Sequence, residues 1–430
     1  MKTNETTEAN RIFKRVAWRL VPLLFLIYVA AYLDRVNVGY AKLQFSADLG
    51  ISDFAYGLGA GLFFIGYILF EVPSNLYLAK KGARAVLSRI MILWGLASAG
   101  MMFVQSETSF YVLRFLLGAA EAGLIPGVML YLTYWFPPAW RARIVSLFML
   151  AIPVSGLIGA PLSGWIMETF DGVKTLRGWQ WMFLLEAIPS LLLGIYVICR
   201  FDNTPNDAKW LSQQEKALIA NQLRSLDQPQ VQPLGIVKLL GLSRFWLLGV
   251  IYFCLVMGNV GFSFWLPQLV SDIGAKGLMN IGLLSAVPYA VAGIGMVAIA
   301  FSSDRLKERR WHYAICSGLG ALGLVVCCLY SKTMPVALGG ISLSYLGILA
   351  CFGIFWSIAS EWMKPSEIIV GFPLINMFSA VSGYLSPFML GAVRNSTGSL
   401  EIGLYIIAIC LFLSSLLALR IPKAITRPQF

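Results

Sequence analysis

The sequence predicts an all-α polytopic membrane protein whose twelve spanning helices form two pseudo-symmetric six-helix bundles. Three observations predict it. Apolar runs of about 20 residues, the length that crosses a bilayer, recur along all 430 residues, and the mean hydropathy is +0.74 with 58% hydrophobic and 13% charged residues. The runs are continuous and do not alternate, which favours helices that satisfy their own backbone hydrogen bonds over a β-barrel. Finally, a basic turn between two apolar runs returns in the second half; aligning Lys80 with Arg305 gives an offset of 225 residues, close to half the chain.

The runs place spans near residues 17–37, 54–78, 85–104, 109–134, 143–167, 179–200, 245–270, 279–302, 312–331, 335–361, 367–393 and 400–420. With both termini cytoplasmic, 25 of the 33 Lys and Arg fall on the inner side, 2 in the membrane and 6 in outer loops (Lys42, Lys174, Arg177, Lys276, Lys332 and Arg394). That asymmetry follows the positive-inside rule, so the net charge of +12 reads as orientation and not as affinity for nucleic acid. The polar amino terminus has no small-residue cleavage site after the first apolar run, so the first span is expected to act as a retained signal.

Span one carries the strongest anomaly, YVAAYLDRVN, in which Asp34 and Arg35 stand side by side in apolar sequence. A charge at the centre of a spanning helix costs about 2.5–3.5 kcal/mol on insertion scales, so such side chains face protein or water. The two point about 100° apart on a helix, so one of them is expected to face a cavity directly. Spans two and three pair through the basic turn of Lys80, Lys81 and Arg84, and spans eight and nine through Asp304, Arg305, Arg309 and Arg310. Span four repeats the anomaly with Arg114 and Glu121, seven residues apart and therefore on one face, where they are expected to pair. Gly156, Ala160 and Gly164 in span five have the four-residue spacing of close helix packing.

The only long polar segment, residues 201–243, separates an amino-terminal bundle (1–200) from a carboxy-terminal one (244–430). Ser212 and Glu215 form a capping-box pattern, predicting a short amphipathic helix over 211–226, with extended chain over 228–233. Charged residues are absent from the depths of the second half's spans, where Asn259, Trp265, Gln268, Tyr289, Trp356, Ser357, Asn376, Ser379 and Tyr384 supply neutral polar and aromatic groups. Cys199, Cys254, Cys316, Cys327, Cys328, Cys351 and Cys410 lie in spans or at their ends without metal-like spacing and read as packing residues. His312, after a basic turn, reads as solvated. No phosphate-binding loop, nucleophile constellation or metal-ligand pair is present, so no cofactor is expected and the chain is not expected to be an enzyme.

The DR pair of span one, the basic turn after span two, RFLLGAAEAGLIPG, TPNDAKWLSQQEK and DRLKERR together resemble the major facilitator superfamily over essentially the whole chain. Within it, AAYLDRVNVGYAKLQ, FFIGYILFEVPSN, YLTYWFPPAWRAR and GAPLSGW look like the anion:cation symporter family of organic-acid and proton symporters, including tartrate, hydroxyphenylacetate and sugar-acid permeases. Ala79 stands where many superfamily members have Asp, while the second turn keeps Asp304.

The resemblance implies import of a small organic carboxylate with protons across the bacterial inner membrane, by a monomer working through alternating access. It implies proton coupling through Asp34, Glu121 and Arg114, and substrate contacts at Arg35, Tyr67, Trp356, Ser357 and Asn376. It marks Lys80, Arg84, Asp304 and Arg305 as the turn and gate motif. Ile152, where some sugar-acid transporters of the family have an amide, makes a polyhydroxylated acid the weaker candidate beside an aromatic or small hydroxy acid. Glu71 reads as a packing or gate residue beside Pro73 and Asn75. Efflux or exchange on the same fold is the alternative, and a membrane-embedded sensor or enzyme a more distant one.

Overall fold

A computed structural model gives the fold and describes residues 2–224, 232, 234–306 and 308–422. Twelve of its helices are long and apolar enough to cross a membrane, from Glu8–Leu49 to Glu401–Ala418. The expected count therefore stands, and most ends differ from the sequence reading by a few residues.

Span one differs by more. Helix Lys2–Val36 continues, after an interruption at Asn37, into Val38–Leu49. Asn37 keeps right-handed helical dihedrals, and its amide still reaches the Leu33 carbonyl at 3.0 Å, so the interruption is a dent and not a break. Lys42 and Gln44 make the continuation polar and so read as an outer loop, because polarity hides a helix whose other face is buried. Gly50, at φ 67°, ends it; Ser52 caps span two by accepting from the Ala55 amide at 3.1 Å.

Spans two and three run on as one helical stretch, Asp53–Gly100, broken at Gly82 (φ 80°, ψ 167°), a conformation open to glycine. The turn it makes has a definite task. Arg84 Nε donates to the Ile198 carbonyl at 2.6 Å and the Arg84 amide to Asn203 Oδ1 at 2.9 Å, satisfying a carbonyl orphaned at the end of span six. In the second half Arg310 donates to the Ile421 carbonyl at 3.0 Å, at the end of span twelve, so the two basic turns do equivalent work. Arg309 lies 3.7 Å from Asp304 and also pairs with Glu361, while Lys80 and Arg305 are exposed. His312 is not solvated as expected: it is half-buried, 3.1 Å from Ser302 Oγ.

The polar connector docks on the first six spans. Trp210 stacks on Trp135 with centroids 6.0 Å apart, and the Arg19 guanidinium lies 4.7 Å from its ring. The connector helix runs Gln213–Arg224 with the expected capping box, in which the Ser212 amide donates to Glu215 at 2.9 Å. That hydrogen bond, with Arg15 at 2.5 Å, holds the Glu215 carboxyl below its ordinary range. The rest of the expected helix and residues 228–231 and 233 lie outside the described residues.

Two seams join the halves. Span five packs on span eight and span two on span eleven. At the first, the small residues of span five face the other half directly: a Cβ on Gly164 would collide with the Leu278 carbonyl, and one on Gly156 with the Tyr289 ring. At the second, a Cβ on Gly57 would lie 2.5 Å from the Pro387 carbonyl and 3.0 Å from Gly391 Cα. The spacing read as close packing thus serves an interface between the halves. Because lipid is as apolar as leucine, such contact rests on close approach and dispersion, which any added side chain forbids.

Gly57→Val is therefore expected to prop this mouth open. Spin labels at Val173 and Lys276, on loops of opposite halves, should show a longer distance distribution in the variant than in the parent. An unchanged distribution would mean that the seam does not set the opening.

Candidate functional site

Span four positions the first acid. Its helix starts at Glu107, capped by Ser106, and stops at Glu121 because Ala122 is extended and Gly123 takes φ 94°; the chain re-enters helix at Leu124–Trp135. Glu121 thus sits on the last turn before a break in mid-membrane. Its partner is not Arg114. Arg35 of span one forms a two-pronged ion pair with it, one contact being Nε to Oε2 at 3.3 Å. Sharing a helix face sufficed to suggest an Arg114–Glu121 pair, but their side chains diverge toward different neighbours.

Arg114 is left with no acid. Its side chain is 1% exposed, and neither Nε nor Nη2 has a hydrogen-bond partner among the described residues. Its guanidinium lies 5.2 Å from the Phe63 ring of span two and 5.3 Å from the Phe264 ring of span seven. Aromatic faces attract a cation but accept no N–H bonds as a carboxylate does, so the group is held in place with donors to spare. It also stands where the two halves meet, since Phe63 and Phe264 come from opposite halves.

Asp34 points away from this meeting place. It is fully buried and accepts from Ser98 Oγ of span three at 2.9 Å and from Ser190 Oγ of span six at 2.6 Å, with no ion-pair partner among the described residues. Of the adjacent pair, Arg35 faces the centre and Asp34 the inside of its own bundle. Behind Asp34 lies an acid that the sequence reading passed over. Glu186 of span six is 3% exposed, accepting from Ser163 Oγ at 2.7 Å and Asn37 Nδ2 at 3.1 Å. FLLEAIPSLL shows it plainly, by the same rule that singled out Asp34.

The other expected contacts flank the arginines. Tyr67 is buried, stacks with Phe63 at 6.5 Å and lies within electrostatic range of Arg35 and Tyr252. Trp356 is half-buried, 5.0 Å from the Tyr252 ring and 4.9 Å from Phe372. Asn376 of span eleven is half-buried and lies close enough to Glu71 of span two to act on its carboxyl. Ser357 spends its hydroxyl on its own helix, donating to the Gly353 carbonyl at 3.0 Å.

A charged lattice closes one mouth. Lys42 reaches Asp53 at 2.7 Å and Gln268 at 2.9 Å, and Arg394 reaches Asp53 at 3.1 Å while also pairing with Asp272. Lys42 is buried, not in an exposed loop as expected, and no sequence signal links Asp53 to an arginine 341 residues away. At the opposite mouth, beside the Arg84 and Arg305 turns, no ion pair crosses between the halves among the described residues. An apolar groove of 960 Å³ lies apart from all this, along the seam of spans five and eight, lined by Val21, Phe25, Leu157, Ile294 and Phe301 among others; it holds none of these charges.

The sequence profile of the Major Facilitator Superfamily matches residues 24–387. A Pseudomonas putida protein named as a metabolite transport protein, NicT, is 44% identical over 416 residues, covering 96% of this chain and 94% of its own. An Agrobacterium vitis protein named as a tartrate transporter is 39% identical, covering 96% of this chain and 93% of its own. The quinolone resistance transporter of Acinetobacter baumannii is 36% identical, covering 94% of each chain. Among solved structures, a bacterial homologue of the human lysosomal transporter Spinster aligns with TM-score 0.77 over 96% of this chain and 98% of that one; at 13% identity the likeness speaks for the fold alone.

The Arg35–Glu121 pair carries a stability prediction. Removing one member of a buried ion pair strands the other, at a cost of about 3–5 kcal/mol. Arg35→Ala is expected to lower the melting temperature of the purified protein markedly, and Glu121→Gln added to it to restore part of the loss. Additive losses in the double variant would mean that the two side chains do not compensate each other.

Proposed function

Because the chain belongs to the Major Facilitator Superfamily, and is accordingly a multi-pass membrane transporter and not an enzyme, we propose that it imports a small organic carboxylate together with protons by alternating access of its two bundles. The observation that carries this reading is Arg114, an unpaired buried guanidinium between aromatic rings of both halves. A carboxylate is the group whose geometry and charge complete it. Arg35 lies beside it, engaged by Glu121.

Protonation of Glu121 removes the charge that holds Arg35, so a proton on the acid and an anion on the arginine favour each other, which is what coupling requires. In this reading Arg114 holds the substrate carboxylate from the start and Arg35 joins when Glu121 is protonated. Asp34 is a proton site reached through the amino-terminal bundle. Tyr67, Trp356 and Asn376 line the body of the substrate, and an aromatic or hydroxy acid suits that mix of rings and amide. Tartrate transport, in the name of one relative, agrees with this class. The cross-bundle lattice at Lys42 and Arg394, with the other mouth free of such pairs, supports a conformation open toward the basic turns. Those turns face the cytoplasm of the bacterial inner membrane by the positive-inside rule, with a monomer as the working unit.

A relative named for quinolone resistance favours a second reading, export or exchange on the same fold. The direction of proton flow separates the two. In proteoliposomes with an external pH indicator, tartrate or 4-hydroxyphenylacetate entering with protons should turn the medium alkaline; acidification would establish the second reading instead.

Arg114→Ala should abolish the thermal stabilisation given by whichever of tartrate, 4-hydroxyphenylacetate or an aldonate stabilises the parent. Undiminished stabilisation would remove Arg114 from the site. Glu121→Gln should abolish proton-driven accumulation of that acid and leave counterflow exchange partly intact. Equal loss of both would assign Glu121 to binding or folding.

A further inference from the structure

Glu186 has no part in the cycle just described, yet it occupies a built polar site. Asp34 and Asn37, three residues apart on span one, face Ser190 and Glu186, four residues apart on span six. The antiparallel helices therefore meet through two successive rungs, Asp34–Ser190 at 2.6 Å and Asn37–Glu186 at 3.1 Å. Ser98 braces the first rung from span three and Ser163 the second from span five.

The ladder contains two acids and no cation. Neither Asp34 nor Glu186 has an ion pair among the described residues, and each lies within the electrostatic range of the other. Among the described residues the titratable groups that act electrostatically with Glu186 are Asp34 and Tyr40 of span one, and span five contributes Ser163. Hydroxyls and an amide solvate a carboxylate only in part, and two like charges sharing such a space oppose each other.

What distinguishes this from a chance cluster is Asn37. Its side chain is 1% exposed and Oδ1 has no hydrogen-bond partner among the described residues. With Nδ2 toward the acid, the contact suits an ionised Glu186. Turned about its amide axis, Asn37 offers the unpartnered Oδ1, and only a protonated Glu186 can then donate to it. Ser163 likewise donates or accepts as needed. The site is thus equipped to hold Glu186 in either state without breaking a contact.

We propose that Glu186 is a further proton-binding site, forming with Asp34 a buried pair along the seam of spans one and six that shares protons between its two carboxyls. A transfer within the pair turns one carboxylic acid into a carboxylate and the other carboxylate into an acid, leaving the net charge unchanged. Tyr40 and then Gln44, which donates to Asp171 at 2.9 Å, continue the same side of span one toward the mouth closed by Lys42. The pair therefore lies between that mouth and the centre. Its use in transport rests on the proton-coupled reading above, but its protonation does not.

The test uses the full chain in liposomes with no transport substrate, so a failure of the transport reading leaves it unaffected. Infrared difference spectra over a pH titration report the C=O stretch of protonated carboxyls, which carboxylates lack. Glu186→Gln, which keeps partners for Ser163 and Asn37, should remove one such band. Asp34→Asn should move the titration of the Glu186 band at least several-fold in proton concentration toward lower pH, because the opposing charge is gone. A Glu186→Gln spectrum identical to the parent, or a Glu186 band indifferent to Asp34→Asn, would overturn the proposal. If Glu186→Gln does not fold, Glu186→Asp decides: a shifted, titrating carboxyl band supports the pair, and the absence of one overturns it.

Discussion

Everything in this molecule is arranged around how few ways there are to keep a guanidinium in hydrocarbon. Arg35 is kept by an acid, Glu121, and Arg114 by two rings. The first arrangement is electrically complete, the second is not. A charge resting against π faces retains an unspent capacity for a carboxylate, and that inequality between two neighbouring arginines is what gives the proposed cycle its order, the anion on one and the release of the other by its acid.

The helices that hold these groups owe their position to features unrelated to charge. The break at Gly123 leaves Glu121 on a terminal turn, and the dent at Asn37 carries span one on to Lys42 and the far lattice. Glycines at the span-two and span-five seams bring backbones of opposite halves into contact with little side-chain material between them. The lattice of Lys42, Asp53, Arg394 and Asp272 adds polar cost to separation at one mouth only.

The sequence made the architecture plain because bilayer thickness sets a length that repeats, and the count of twelve spans followed from it. Charges in apolar runs make Asp34, Arg35, Arg114 and Glu121 visible for the same reason, and Glu186 in span six is legible by the same rule. Partners were a different matter. Helical periodicity fixes the face a side chain shares with its own neighbours but says nothing of the rotation of the next helix, so Arg114 was matched to Glu121 when Arg35 was closer. Ser98 and Ser190, which hold Asp34, are ordinary serines in apolar sequence and gave no sign. Lys42 was assigned to an outer loop because a buried lysine at a helix end is polar in sequence whichever way it points.

The two halves match where structure is concerned and differ where charge is. Arg84 caps the end of span six much as Arg310 caps that of span twelve, so the repeat preserved the means of holding a bundle together. The charges that meet near the centre, Arg35, Arg114 and Glu121, by contrast belong to the first half, while the second contributes Phe264, Tyr252, Trp356 and Asn376. In the proposed cycle the second half acts as a fixed wall against which the first half changes state, and the coupling of protons to an anion is resolved among the acids and arginines of spans one, four and six.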